Sequence, residues 1–282
     1  MSHCDARKTS PLIPSASASP HWREKVWAWA DEFELSDEEI PRNANELDAL
    51  TRLAIDTTYP YEGYYANIPE LPEDYVSTPL YHMKEIPGEL ANLVDLTEVN
   101  LINVDSDVFM KNISNLKKLV RLSLDYTSLK NIPSDIDELV NLKEFWINDN
   151  NLSELPDSIA DLSSLNDLRI RLNSLVRLPK NIAALHQLTT LEIACDRLLS
   201  LPDDIGELTN LTTLIIGGNG LTYVPESIGK LKHLKQLFIT GKKITSLPDS
   251  ISDLDALEYL QVSYSGIKSI PEGIDQTRVE IT

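Results

Sequence analysis

The chain has 282 residues and a formal net charge of −19, from 44 acidic and 25 basic residues. A nucleic-acid-binding protein would carry a basic face, and adsorption to an anionic membrane also needs basic residues, so this composition argues against both partners. The two cysteines, Cys4 and Cys195, are too few for a disulfide framework and indicate a reducing compartment.

Residues 1–20 form a segment that is rich in Ser, Pro and Ala and has no hydrophobic periodicity. This composition predicts a disordered tail. The tail has no apolar stretch of the length that a secretory signal needs, and nothing in the chain resembles a transmembrane span. We therefore expect a cytoplasmic protein. An alternative is that the tail directs export into a host cell by a non-Sec route.

Residues 21–49 are predicted to form an N-terminal helical cap. Apolar residues at helical spacing form one stripe, which comprises Trp22, Val26, Trp29, Ala30 and Phe33. The helix is expected to end near Ser36, and its simplest role is to cover the open end of the repeats that follow. The alternative is that Trp22, Trp27 and Trp29 mark a binding surface.

The segment of residues 50–95 carries an incomplete pattern. Leu53 and Ile55 have the spacing of a short strand. Leu50 and Leu96 are separated by 46 residues, which is two periods of the repeat that follows. We therefore predict two degenerate repeats with an irregular, tyrosine-rich stretch between them. One repeat with a long loop is the alternative.

A repeat of 23 residues fills the rest of the chain, and eight regular copies run through residues 96–282. The first leucines of these copies are Leu96, Leu119, Leu142, Leu165, Leu188, Leu211, Leu234 and Leu257. A fixed period in this range is typical of a solenoid, in which each unit buries its apolar side against its neighbours.

The first half of each copy has the pattern of a short strand. In the copy from Leu142, the residues Leu142, Phe145 and Ile147 have this spacing. Side chains alternate along a strand, so Phe145 and Ile147 are predicted to point into the core, and the residues between them to point outward.

The second half of each copy begins with a turn and continues as LPxxIxxL. Asn150 lies in the turn, where its amide can satisfy backbone groups of adjacent copies. Asn173 and Asn219 keep this residue, whereas Asp196 stands at the same place in one copy. Pro156 has a fixed φ and no N–H, so it suits the first turn of a short helix.

These residues, in the form LxxLxLxxNxLxxLPxxIxxL, resemble the leucine-rich repeat (LRR) family over nearly everything after the tail. They are similar to the intracellular LPxxIxxL subclass with a 23-residue period, and most like bacterial LRR proteins. The resemblance implies an α/β fold, a right-handed solenoid in the shape of a horseshoe arc. Its parallel sheet would line the concave side, and short 3₁₀ or α turns the convex side. Family members mostly bind proteins through the sheet.

No group of residues points to catalysis or to a metal site. The five histidines are scattered without a cysteine partner at ligand spacing, and the sequence motifs of phosphate-binding loops and hydrolases are missing. We therefore expect a non-enzymatic protein without a cofactor. Bacterial LRR ubiquitin ligases carry a catalytic domain after their repeats, and we expect none here.

The strand register predicts the outward side chains, which lie two, four, six and seven residues after the first leucine of each copy. The partner-binding surface predicted from these positions comprises Tyr126, Trp146, Asn148, Arg169, Arg171, Glu192, Ile215, Phe238, Tyr259 and Tyr264. Large apolar side chains beside Arg and Tyr are typical of protein-binding hot spots.

Two alternatives remain open for this surface. Trp146 and Phe238 either contact a partner or cover the sheet by packing on neighbouring strands. Arg169 and Arg171 either hold a carboxylate of the partner or pair with acidic residues across adjacent strands. The acidic candidates are Glu144 and Glu192.

The sequence thus favours a protein that binds another protein on its concave face, and one version is a bacterial effector secreted into a host cell. A second hypothesis is an adaptor that recognises the substrate of an enzyme on another chain. A third is weak self-association through the C-terminal end, where Val279-Glu280-Ile281 lacks a polar cap.

Overall fold

The computed structural model describes residues 21–56, 84–275, 277 and 279–282. The predicted disordered tail and the tyrosine-rich stretch lie outside the described residues. Among the residues that are described, no helix is both long enough and apolar enough to cross a membrane.

Ten strands form one parallel sheet, in which chain order and spatial order agree. The strands of this sheet are β1 (Arg52–Asp56), β3 (Glu98–Ile102), β5 (Arg121–Asp125), β6 (Glu144–Trp146), β7 (Asp167–Arg171), β8 (Thr190–Ala194), β9 (Thr213–Gly217), β10 (Gln236–Thr240), β11 (Tyr259–Gln261) and β12 (Glu280–Ile281). Two further strands, β2 (Lys84–Glu85) and β4 (Val104–Asp105), pair with each other. The solenoid with a parallel sheet that the repeats predict is confirmed.

Short 3₁₀ turns lie on the other side of the core. They are Gly88–Asn92, Ile113–Asn115, Ser134–Glu138, Asp157–Asp161, Ile182–Ala184, Ile205–Glu207, Glu226–Lys230 and Asp249–Asp253. Pro156 lies just before its turn rather than inside it, with φ −67° and ψ 147°. Its carbonyl accepts the amide of Ile159 over 3.1 Å and so starts the turn. A proline suits this place because its φ is fixed and it has no N–H to leave unsatisfied.

The core is continuous between the sheet and the 3₁₀ turns. In the copy from Leu142, the side chains of Leu142, Phe145 and Ile147 are fully buried, as their alternation predicts. Ile159 from the following turn is buried against the same core. Because each copy packs on the next, burial of apolar area accumulates along the stack, and a single copy could not supply it alone.

The N-terminal helix α1 (Trp22–Glu32) is confirmed, and it ends before Ser36. Its buried side chains are Trp22, Val26 and Ala30. The helix packs on the turn Gly88–Asn92, which follows Ile86-Pro87. A second short helix, α2 (Ala44–Asp48), leads into β1.

The other two tryptophans of this region are bonded within the fold. The indole N–H of Trp27 donates to the carbonyl of Pro41 over 2.8 Å, and that of Trp29 donates to the carbonyl of Glu85 over 3.0 Å. Both rings are half-buried against the core. These contacts favour the capping role over the alternative of a tryptophan-based binding surface.

The sheet begins with a strand that precedes the eight regular copies. Strand β1 is hydrogen-bonded directly to β3, with Leu53 opposite Val99 and Ile55 opposite Leu101. The prediction of two degenerate repeats depends on residues 57–83, which lie outside the described part of the chain. The copy from Leu96 is irregular, because β4 is followed by the four-residue helix α3 (Asp107–Met110).

The asparagine turn is formed in two successive copies. Asn150 and Asn173 are buried, and each side-chain amide donates to a backbone carbonyl of the preceding copy. The acceptor for Asn150 is Leu124, at 2.7 Å, and the acceptor for Asn173 is Ile147, at 2.8 Å. The amides thus tie adjacent coils together, as the sequence predicts.

The next copy uses a cysteine in this place, one residue earlier than the sequence alignment of the repeats suggests. Cys195 is buried with its Sγ 3.6 Å from the carbonyl oxygen of Ile170, and burial raises the pKa of its thiol. Asp196 and Asn219 are exposed and bond to each other over 2.9 Å. Asn219 therefore does not continue the buried asparagine turn.

Candidate interaction surface

The concave face is the face of the ten-stranded sheet that points away from the core. Along β6, for example, Phe145 is buried whereas Glu144 and Trp146 are only half-buried on the opposite side. The same alternation runs through the longer strands, so the positions predicted to point outward on the strands form this face. Its side chains come from successive copies in register.

Trp146 lies on the concave face between two arginines. The guanidinium carbons of Arg121 and Arg169 lie 5.5 and 5.0 Å from the centre of the indole ring, within the range of a cation–π contact. The indole N–H donates to Asp167 over 3.3 Å. The ring is therefore held by side chains of neighbouring strands. This packing favours the alternative in which Trp146 covers the sheet.

The two arginines beside Trp146 are themselves paired. Arg121 donates to Glu144 on the adjacent strand over 3.0 Å, and Arg169 donates to Asp167 on its own strand over 2.7 Å. The hydrogen bonds to these carboxylates raise the pKa of both guanidinium groups. The expected cross-strand pair of Arg169 with Glu144 is therefore not formed. Arg169 is paired with Asp167, and Glu144 is paired with Arg121.

Arg171 forms the other expected cross-strand pair. Its guanidinium donates to Glu192 over 2.6 Å. Glu192 is only 3% exposed, so its carboxylate lies beneath the surface rather than on it. Removing Arg171 would leave this charge buried and unpaired, which gives the pair a structural role.

Asn148 connects three strands. Its amide nitrogen donates to Asp125 over 2.8 Å, and its amide oxygen accepts the backbone N–H of Arg171 over 3.1 Å. Both ends of the side chain are therefore engaged within the sheet. Like Trp146, Asn148 belongs to a network of polar contacts that occupies the middle of the concave face.

Strands β9, β10 and β11 form a different surface, which we call the uncharged patch. Its concave-face side chains are Thr213, Ile215, Gln236, Phe238, Tyr259 and Gln261. Phe238 lies opposite Ile215 in the register, and its ring centre is 5.2 Å from that of Tyr259. The Tyr259 hydroxyl is hydrogen-bonded to Thr282 over 2.9 Å, which fixes the ring at the end of the patch.

Tyr126 and Tyr264 do not lie on the strands but at the edge that follows them. Both residues have left-handed backbones, with φ of 54° and 61°. Leu172 occupies the equivalent place, with φ 49° and 62% of its surface exposed. Leu172 is not among the predicted surface residues, although it lies seven residues after Leu165 and so shares their position in the repeat.

Asp149 sits beside Tyr126 at this edge. Burial raises the pKa of the Asp149 carboxyl, and the nearby charge of Asp125 adds to this rise. A hydrogen bond from the Tyr126 hydroxyl acts in the opposite direction. Tyr126 is therefore tied to its own edge and is less free than Tyr264, which is 84% exposed.

Within the described ranges, no group of three or more His, Cys, Asp and Glu side chains could hold a metal ion. The predicted surface residues instead fall into a polar cluster around Trp146, the uncharged patch around Phe238, and an edge. Neighbouring strands in a sheet are about 4.8 Å apart, so the four steps from β6 to β10 separate the two centres by about 20 Å.

Sequence models of the leucine-rich repeat match much of the chain. One, described as a leucine-rich repeat region, matches residues 93–196. A second, described as a leucine rich repeat, matches residues 186–244 and 209–267. The chain belongs to the leucine-rich repeat family. LRR proteins generally mediate protein–protein interactions and are typically not enzymes, because the stacked units present an extended surface for binding.

Solved LRR structures share this fold. An LRR protein of Leptospira interrogans matches with a TM-score of 0.51 and 24% identity, over 71% of this chain and 63% of that one. The internalin InlF of Listeria monocytogenes matches with a TM-score of 0.51 and 19% identity, over 69% of each chain.

A plant LRR protein is also similar. The LRR ectodomain of the Arabidopsis receptor kinase HAESA, solved in complex with an extended IDA peptide hormone, has a TM-score of 0.57 and 22% identity. That match covers 70% of this chain but 35% of the ectodomain. This chain therefore spans less than two thirds of the Leptospira protein and about a third of the HAESA ectodomain. A search of curated proteins found no match.

Proposed function

We propose that this LRR protein binds a partner protein on its concave face. The observation that carries the proposal is the row of large apolar side chains that this face holds half-exposed, with Ile215 and Phe238 in register on adjacent strands. Ten strands at about 4.8 Å give an arc of about 45 Å, which is long enough for a standard protein interface.

The HAESA ectodomain supports the proposal by analogy, since it is an LRR protein that holds a peptide. The contacts within the concave face differ between Trp146 and Phe238. Side chains around Trp146 already have partners within the sheet, whereas the ring of Phe238 packs on that of Tyr259 and its strand contains no charged residue. Phe238 is therefore the side chain whose loss should weaken binding most.

Affinity capture from lysates tests the proposal. The wild-type chain, Phe238→Ala, Trp146→Ala and a control Tyr223→Ala would each be incubated with lysate of the source cell and of a candidate host cell. Tyr223 is an exposed aromatic residue on the convex side, beside the turn that follows Pro225. We expect one protein to be captured by wild type and by Tyr223→Ala and lost with Phe238→Ala, while circular dichroism shows all variants folded.

The identity of the captured protein separates the versions of this function. A host protein supports a secreted bacterial effector, subunits of another enzyme support a substrate adaptor, and a second copy of the chain supports self-association. Capture that is unchanged by both concave variants but lost with Tyr223→Ala would place the interface on the convex side and contradict the proposal.

We also propose that the chain acts in a cytoplasm, whether that of its own cell or that of a host. The sparse cysteines support this location, because Cys195 is buried as a free thiol among the described residues. Fractionation of the source cell with an antibody to the chain would test it. Recovery in the outer envelope of the source cell would contradict it.

A further inference from the structure

The uncharged patch differs in composition from the rest of the sheet. Strands β9, β10 and β11 contain no acidic or basic side chain, whereas β3, β5, β6, β7 and β8 each contain at least one. The chain as a whole has a net charge of −19. An acidic partner would be repelled by most of this surface, so it could approach only where negative charge is locally missing.

Two lysines lie at the edge of the uncharged patch, in the turn after β10. Lys242 and Lys243 are exposed, and neither forms an ion pair with another residue in the described part of the chain. At the opposite end of β10, in contrast, Lys235 is paired with Glu258 at 3.2 Å. The patch thus has one edge with paired charges and one edge with free positive charge.

The apolar centre of the patch lies close to these lysines along the chain. Phe238 and Ile215 are adjacent in register, and Tyr259 supports the Phe238 ring from the next strand. Along the chain only Ile239, Thr240 and Gly241 separate Phe238 from Lys242. A group that packs on Phe238 can therefore carry a negative charge that reaches the lysine edge.

We propose that the uncharged patch docks an acidic peptide segment of the partner, one that combines a large apolar side chain with neighbouring carboxylates. The apolar side chain packs on Ile215 and Phe238, and the carboxylates meet Lys242 and Lys243. The arrangement gives specificity through charge complementarity at the lysine edge of the patch. This inference rests on the proposed function, because it names the kind of partner segment that the concave face accepts.

Selection from a phage-displayed library of random peptides tests the inference without the natural partner. The immobilised full chain would be used as bait, and an enriched peptide would be synthesised with a fluorophore for titration. We expect enrichment of peptides with Asp or Glu beside an aromatic or large aliphatic residue, and an affinity that falls as salt is added.

Three variants define the site of the peptide. Lys242→Glu/Lys243→Glu and Phe238→Ala should each weaken the labelled peptide by about tenfold or more. Lys111→Glu/Lys130→Glu is the matched control, because it makes the same change of charge at two exposed lysines outside the patch. Circular dichroism and melting curves verify that each variant is folded.

The outcomes are distinct from those of the lysate experiment. Absence of enrichment, enrichment of basic peptides, or equal loss of affinity in the control and the Lys242/Lys243 variant would overturn the inference. If any of these results is found while capture of the lysate partner is still lost with Phe238→Ala, binding on the concave face is supported and docking of an acidic segment is rejected. If the peptide behaves as expected but no lysate partner is captured, the patch is supported and the wider proposal fails.

Discussion

At the scale of single residues, Asn150 shows how adjacent coils are held in register. Its side-chain oxygen accepts the backbone N–H groups of Thr127 and Leu129, at 3.0 and 2.9 Å. Its amide nitrogen donates to the carbonyls of Leu124 and Asn148, at 2.7 and 2.9 Å. One buried side chain therefore satisfies backbone groups that have no strand partner at this point.

We predict that Asn150→Ala lowers the free energy of unfolding by about 2–4 kcal/mol, because it leaves several buried donors and acceptors unsatisfied. Urea denaturation monitored by circular dichroism would measure the change. Asn219→Ala is the matched control, since Asn219 is exposed and bonds only to Asp196. Equal effects of the two substitutions would show that the buried amide has no special role.

Leu172 illustrates a local conformation that its side chain disfavours. Its φ of 49° lies in the left-handed region, which costs most residues about 1–2 kcal/mol but is readily adopted by asparagine. We predict that Leu172→Asn raises the free energy of unfolding by about 1 kcal/mol. Leu199→Asn, at an exposed leucine without a positive φ, should have little effect. If the free energy of unfolding of Leu172→Asn were no higher than that of Leu199→Asn, the backbone at Leu172 would not be strained.

At the scale of elements, helix α1 (Trp22–Glu32) covers the core next to the turn Gly88–Asn92. We predict that Val26→Ala lowers the free energy of unfolding by about 2 kcal/mol, because it removes two buried methyl groups and leaves a cavity. Val140→Ala, which truncates an exposed valine, should stay within about 0.5 kcal/mol of wild type. A thermal or urea melt in which the two variants coincide would mean that α1 does not stabilise the repeats.

The sequence predicts well the elements whose structure is determined by residues close to one another along the chain. Alternation along each strand and the proline before each 3₁₀ turn depend on a few neighbouring residues, so a spacing rule finds them. The number of repeats between Leu50 and Leu96 has no such local cause, because a spacing of two periods is equally compatible with one repeat that carries an insertion. The prediction of two degenerate repeats depends on residues 57–83, which the structure does not describe.

The replacement of asparagine by Cys195 has a similar reason. Counting assigns the place to Asp196, but what matters is which side chain can reach the carbonyl of Ile170 from inside the core. A short, weakly polar thiol can be buried there with one contact, whereas a carboxylate would lose its hydration. The sequence position alone does not contain this information.

At the scale of the whole molecule, the register predicts which strand residues share the concave face but not how they pair. Arg169 has carboxylates within reach on its own strand and on both neighbours, and the structure selects Asp167. The burial of Glu192 beneath Arg171 likewise depends on side-chain packing between copies. The polar cluster follows from these contacts, whereas the uncharged patch follows from the composition of β9, β10 and β11.

The charge of the whole molecule leads to a prediction about salt. Like charges repel in a chain with a net charge of −19, and salt screens this repulsion, with a Debye length of about 30 Å at 0.01 M and about 10 Å at 0.1 M. We predict that the melting temperature rises as NaCl is added over this range. A fall would mean that the cross-strand ion pairs, such as Arg171 with Glu192, outweigh the overall repulsion.

Hydroxyl-radical footprinting of the complex captured from lysate would test most directly that the concave face is where the partner binds. Phe238, Tyr259 and the convex residue Tyr223 are oxidised in proportion to their solvent access, so each reports on its own surface. We predict that binding protects Phe238 and Tyr259 and leaves Tyr223 unchanged. Protection of Tyr223 with no change at Phe238 and Tyr259 would contradict the account.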